Sequence, residues 1–135
     1  MCVPYKDIFL KCFVVANFLT IPLECRHMAI KGVITARDLY KKIQLGESPI
    51  ILDVRTESEF EEARISGSRH MPLGELKPDV FMRDVGNQEI YVVCLHGMRA
   101  DRAIERFEKA GYQNCSRLIG GLQAWIDEGL PVDQG

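Results

Sequence analysis

No apolar stretch in this chain approaches the roughly 20 residues that a helix needs to cross a bilayer. The best candidate, between Lys11 and Glu24, holds twelve uncharged residues and includes Asn17, Thr20 and Pro22, so no membrane span is expected. Blocks of like charge are also missing. Seventeen Lys and Arg stand against nineteen Asp and Glu, a formal net charge of −2, and without a basic patch no nucleic-acid partner is expected. Cysteine lacks close pairing and is odd in number, at Cys2, Cys12, Cys25, Cys94 and Cys115, which implies no disulfide framework and leaves at least one free thiol. No Cys-x-x-Cys pair occurs, and Cys25 with His27 is too small a set for zinc, so no structural metal is expected. Internal repeats and low-complexity segments are absent as well.

What remains is one domain's worth of ordinary globular sequence. The chain has 135 residues, 47% apolar and 27% charged, enough to build a single core. Residues 1–31 differ from the rest, being rich in Phe, Val and Leu and poor in charge, and read as an apolar extension of uncertain structure; residues 32–135 read as the domain. The extension admits several readings: a short helix packed on the domain, a partner-binding arm, or an upstream extension of the reading frame with Met28 as an alternative start. It also admits a signal peptide, since Lys6 and Lys11 precede an apolar run, although no small-x-small cleavage site follows.

From Gly32 onward strand and helix signals alternate. Thr35 is placed to cap a helix running through Leu45, with Leu39, Tyr40 and Ile43 at helical spacing and Gly46 at its end. Ile50 to Val54 is apolar on nearly every residue, the pattern of a strand covered on both faces. A short acidic helix is expected over Glu57 to Glu62, a brief strand near His70 and Met71, and a partly helical stretch from Leu73 to Val85. Ile90 to Cys94 is the second buried run. Ala100, Ala103, Ile104, Phe107 and Ala110 then form the apolar stripe of a helix that Gly111 ends. Arg117 to Ile119 reads as a last strand, Gly120-Gly121 as a turn, and Leu122 to Glu128 as a closing helix. The sum is an α/β fold with a mostly parallel central sheet flanked by helices on both faces, and a ligand crevice beyond the carboxyl ends of the strands.

Cys94 sits at such an end, directly before a tight loop and a helix. Over Cys94-Leu95-His96-Gly97-Met98-Arg99 the backbone N–H groups can converge as an anion nest, the helix adds its positive end, and Arg99 adds a full charge. All three favour ionised sulfur over the thiol, the condition for a cysteine nucleophile at neutral pH. Arg99 lies in the first helical turn, where a cation is unfavourable against the helix dipole. That placement calls for an anionic neighbour, either a substrate or a loop-closing group. His96 is read either as an aid to anion binding or as a polar loop residue, Gly97 as a position needing an unusual backbone angle, and Leu95 and Met98 as N–H donors whose side chains fill space. Asp53 and Arg55 close a buried strand, where charges need partners. Trp125 is assigned to the core, and Cys115 to packing in preference to a resolving thiol.

Five elements in order resemble the rhodanese-like domain family: Asp53-Val54-Arg55 with Glu59-Phe60; Ile65-x-Gly67-Ser68 leading to Pro72; Cys94-x-x-Gly97-x-Arg99; Gly120-Gly121-x-x-Ala124-Trp125; and Gly129-x-Pro131-Val132. The resemblance covers about Val33 to Asp133. It implies a single-domain thiosulfate sulfurtransferase in which Cys94 takes the sulfane sulfur of a small anionic donor, thiosulfate or a persulfide, and passes it from a cysteine persulfide to a thiophilic acceptor, cyanide in the usual assay. It also implies that Asp53 and Arg55 support the loop, and that no metal or organic cofactor is needed because the cysteine itself carries the sulfur. Arg64 stands where many relatives carry His, which removes any role attached to that His.

Other readings are a relay to a protein sulfur acceptor, a noncatalytic interaction module of the same fold, and a phosphatase or arsenate reductase. The resemblance weighs against the last of these, because phosphatase relatives carry one more residue between Cys and Arg than the four found here. A free thiol needs a reducing compartment, so the cytoplasm is expected, with a secreted or periplasmic location if the extension is a signal peptide.

Overall fold

The computed structural model describes residues 32–135; the extension, with Cys2, Cys12, Cys25, His27 and Met28, lies outside the described residues. Five short strands, β1 (Val33–Ile34), β2 (Ile50–Asp53), β3 (Arg69–His70), β4 (Ile90–Val93) and β5 (Cys115–Leu118), form one sheet in the order β1-β5-β4-β2-β3. Every pairing in that sheet is parallel, as consecutive apolar residues in β2 and β4 anticipate. Five α-helices join the strands: α1 (Ala36–Gln44), α2 (Glu57–Glu62), α3 (Pro78–Val85), α4 (Met98–Lys109) and α5 (Gly121–Asp127), with a 3₁₀ turn at Leu73–Glu75.

Local sequence sets most of these boundaries. The Thr35 hydroxyl accepts from the Asp38 N–H at 3.1 Å, capping α1 at the expected residue. Thr56 and Glu59 form a reciprocal capping box at the start of α2. The ambiguous Leu73 to Val85 stretch resolves into the 3₁₀ turn and α3, which begins at Pro78, a residue suited to the first helical turn. One boundary moved. The last strand starts at Cys115, two residues before the expected Arg117, because Cys115 pairs in register with Ile90 and the Ile90 N–H bonds to the Asn114 carbonyl.

Strand alternation divides the core in two. Leu52, Val54, Val92 and Cys94 pack toward Phe81 of α3 and Phe107 of α4. Ile51, Tyr91, Val93 and Leu118 pack toward Leu39 of α1 and Trp125 of α5. Trp125 is buried as expected, and its indole N–H donates to the Pro131 carbonyl at 2.8 Å. Helices therefore cover both faces. Adjacent β2 and β4 connect outward in opposite directions, toward β3 and β5 respectively, which makes their carboxyl ends the crevice of the sheet. Asp53 and Val93 are paired there, and Cys94 follows immediately.

Candidate active site

Cys94 continues the alternation of β4, so its side chain points to the α4 face. It is only 1% exposed and belongs to the apolar cluster on that side. Its sulfur nonetheless has polar partners. The N–H of Gly97 lies 2.9 Å from Sγ and that of Ala100 lies 3.4 Å away. Both come from the turn into α4, so the positive end of that helix is directed at the sulfur. Of the loop N–H groups expected to hold it, Gly97's does so in this structure. Ala100, one residue beyond the expected set, supplies the second.

The loop can curl this tightly because of two glycines. Gly97 adopts φ +121°, a conformation that residues with a Cβ rarely take. A Cβ there would also stand 2.9 Å from Nη1 of Arg117. Gly121, read from the sequence only as part of a turn, is the second. A Cβ on it would come within 2.4 Å of the carbonyl oxygens of both Cys94 and Leu95. That closeness lets the start of α5 hold the loop: the Leu122 N–H donates to the Cys94 carbonyl at 2.8 Å and the Gln123 N–H to the Leu95 carbonyl at 3.1 Å. With those carbonyls turned to α5, the planar peptides direct the N–H groups of Leu95 and His96 the opposite way.

Arg99 has the anionic neighbour that its position called for, and it is Glu59 of α2. The guanidinium donates twice, at 2.8 Å to Oε2 and 2.9 Å to Oε1, the bidentate geometry of a strong charged pair. Hydrogen bonding from Arg99 holds the Glu59 carboxyl at about 2, below its ordinary 4.5, and the same contact raises Arg99. The arrangement closes the loop against α2. Glu59 was legible only as a member of a motif; its capping-box spacing from Thr56 was the available sign that its carboxylate is held in place.

Asp53 and Arg55 form the buried ion pair beneath. Nε of Arg55 lies 2.9 Å from Oδ1 of Asp53 and Nη2 lies 2.7 Å from Oδ2. The same guanidinium reaches the carbonyls of Glu59 and Ala63. Asp53 thus anchors Arg55, and Arg55 anchors the helix that carries Glu59. Arg64 donates to the Phe60 and Gly135 carbonyls, and its backbone pairs with Asp133.

His96 is exposed, Leu95 is half-buried, and Met98 is 73% exposed. The expectation that the Met98 side chain fills space is therefore corrected: as the first residue of α4 it projects into solvent. Cys115 is buried in the α4-side cluster at the opposite end of the sheet, and burial pushes its thiol up to about 12. A small cavity of 290 Å³ lies beside the loop, against Leu95 and α5. No described helix is long and apolar enough to cross a membrane.

The sequence profile described as "Rhodanese-like domain" matches residues 35–128. The chain is 33% identical over 108 residues to maize adenylyltransferase and sulfurtransferase MOCS3-2, covering 73% of this chain and 22% of that protein. It is 35% identical over 85 residues to the putative sulfur carrier protein YrkF of Bacillus subtilis, covering 63% of this chain and 45% of that one. The chain thus spans less than half the length of either relative. A crystal structure of a rhodanese-related protein from Thermoplasma volcanium superposes with a TM-score of 0.66 at 35% identity, covering 76% of this chain and 98% of that one.

Proposed function

Since the chain belongs to the rhodanese-like domain family, we propose that it is a sulfurtransferase that carries sulfane sulfur on Cys94. The observation that supports this most directly is the pair of N–H groups converging on Sγ at the amino end of α4. Packing alone asks nothing of a buried cysteine beyond volume; two main-chain donors on the sulfur are placed where a sulfur carried in transfer would bear its charge.

In the proposed cycle, Cys94 attacks the outer sulfur of a small donor, thiosulfate or a persulfide, and the donor's remaining group leaves as sulfite or a thiol. The loop N–H groups stabilise the charge on the transferred sulfur. An acceptor then removes it: cyanide in an assay, or a thiol, free or carried on a protein. Arg99 fixes the loop through Glu59, and Asp53 with Arg55 fixes α2. The relatives named for sulfur transfer and sulfur carriage agree with this chemistry, and Met98, exposed beside the loop, gives a protein acceptor an apolar contact. A reducing compartment such as the cytoplasm would keep Cys94 available.

Intact-mass measurement after incubation with excess donor tests the reading. An adduct of about 32 Da, one sulfur atom held covalently, is expected on Cys94, removable by cyanide and absent from Cys94→Ser. Turnover of an aryl phosphate by a protein that never acquires sulfur would replace this reading with the phosphatase one.

A further inference from the structure

Two ion pairs brace the amino end of α4, with their charges reversed. In one, Arg99 of α4 is held by Glu59 of α2. In the other, Asp101, also in the first turn of α4, takes Nε of Arg117 at 2.9 Å. The first pair ties the turn to α2 and the second ties it to β5. Gly97 and Ala100, the donors to Sγ of Cys94, belong to this braced turn.

Strand register places Arg117 for this contact. It lies opposite Val92 of β4, and side chains in register on adjacent strands share a face, so Arg117 emerges on the α4 side, which also carries Cys94. Its side chain then crosses the bare face of Gly97. A Cβ on that glycine would stand 2.9 Å from Nη1, 3.7 Å from Cδ and 4.0 Å from Cζ of Arg117. The Gly97 carbonyl in turn accepts the Asp101 N–H at 3.1 Å. Arg117 thus restrains Gly97 twice, by lying against it and by gripping the residue bonded to it. Arg117 is 30% exposed and Asp101 62%, and exposed pairs of this kind add little to the stability of a fold.

We infer that Arg117 is a positioning residue for sulfur transfer: through Gly97 and Asp101 it keeps the main-chain donors of the α4 turn aimed at the sulfur of Cys94. This rests on the sulfur-transfer reading above. With thiosulfate, Sγ attacks as the thiolate; its bond to the outer sulfur forms as the outer sulfur's bond to the sulfonate group breaks, and sulfite leaves with that electron pair. Donors fixed in advance stabilise charge on sulfur without reorganising during the step, and a hydrogen bond weakens steeply once its angle is lost. Arg117 acts through the loop, so its loss should slow the chemical step and leave the binding of the donor alone.

Single-turnover loading of Cys94 on the full chain, followed by quenched-flow mass spectrometry at a temperature where circular dichroism shows every variant folded, tests the inference. The probe is thiosulfate, or cysteine persulfide if only that loads the wild type. In Arg117→Ala the maximal loading rate is expected to fall about fivefold or more, with the half-saturating donor concentration within about twofold of wild type. Asp101→Ala is expected to slow loading to a similar extent, and the double variant to be no more than about twofold slower than the worse single one, since the two residues act as a unit. Steering of an anion by charge predicts the opposite sign for Asp101→Ala, which removes a carboxylate and leaves Arg117 free. Faster loading by Asp101→Ala, a raised half-saturation with an unchanged maximal rate in Arg117→Ala, or wild-type loading by Arg117→Ala overturns the positioning role. A wild type that loads from neither donor overturns the sulfurtransferase reading itself, and the two failures are thereby told apart.

Discussion

Arg99 and Glu59, forty positions apart in sequence, meet in a double hydrogen bond that joins the amino end of α4 to the amino end of α2. A cation in the first turn of a helix opposes the dipole, and a carboxylate at the start of another favours it. The pair therefore offsets Arg99's unfavourable position while fixing the far side of the Cys94 loop.

That pair is expected to show in acid. Glu59 sits at about 2 in the folded protein against an ordinary 4.5. A carboxyl lowered on folding contributes stability above its unfolded value and loses it as pH falls toward the folded value. The stability advantage of the wild type over Glu59→Gln should be steady at neutral pH, shrink below about pH 4.5, and vanish near pH 2. Urea midpoints of both proteins across that range measure it; a gap that does not change on acidification would show that the carboxylate is not paired in solution.

Gly121→Ala should damage the site more than the fold. The new Cβ, at 2.4 Å from two carbonyl oxygens and at φ +64°, must push the loop away from α5. A loss of about 1–3 kcal/mol is expected from the strained conformation, together with a fall of tenfold or more, on the order of 1.4 kcal/mol, in Cys94 loading. Loading measured at a temperature where circular dichroism shows the variant still folded separates the two effects.

Asp53→Ala leaves the Arg55 guanidinium buried without its counter-ion. Breaking a buried pair from one side costs about 3–5 kcal/mol, and here it also releases the carbonyls of Glu59 and Ala63 that Arg55 holds. A loss of unfolding free energy of that size, read from urea denaturation, is expected. A variant as stable as the wild type would mean that the pair is not what fixes α2.

Cys115→Ser should leave sulfur loading within about twofold of wild type, since a thiol held as high as about 12 by burial is inert at neutral pH. Cys94→Ser should abolish loading without changing the circular dichroism spectrum. Loss of turnover in the Cys115 variant, with Cys94 still loading, would instead assign Cys115 a resolving role.

The sequence carried the element order because hydrophobic periodicity is local. The all-apolar runs in β2 and β4 announced a sheet covered on both sides, Thr35 and Gly46 bracketed α1, and the stripe from Ala100 to Phe107 drew α4. Cys94 was legible as the candidate nucleophile, since its place between a buried strand and a helix depends only on neighbouring residues. The partners of its loop were not legible in the same way. Ala100 donates to the sulfur through its main chain, which any residue possesses, and Gly121 reveals itself only when two carbonyls crowd the space where its Cβ would be. Glu59 finds Arg99, and Asp101 finds Arg117, only after crossover connections bring distant segments to one end of the sheet. Which arginines remain free to meet an anion is decided by that assembly, because charge compensation depends on distance in space and leaves no periodic trace along the chain.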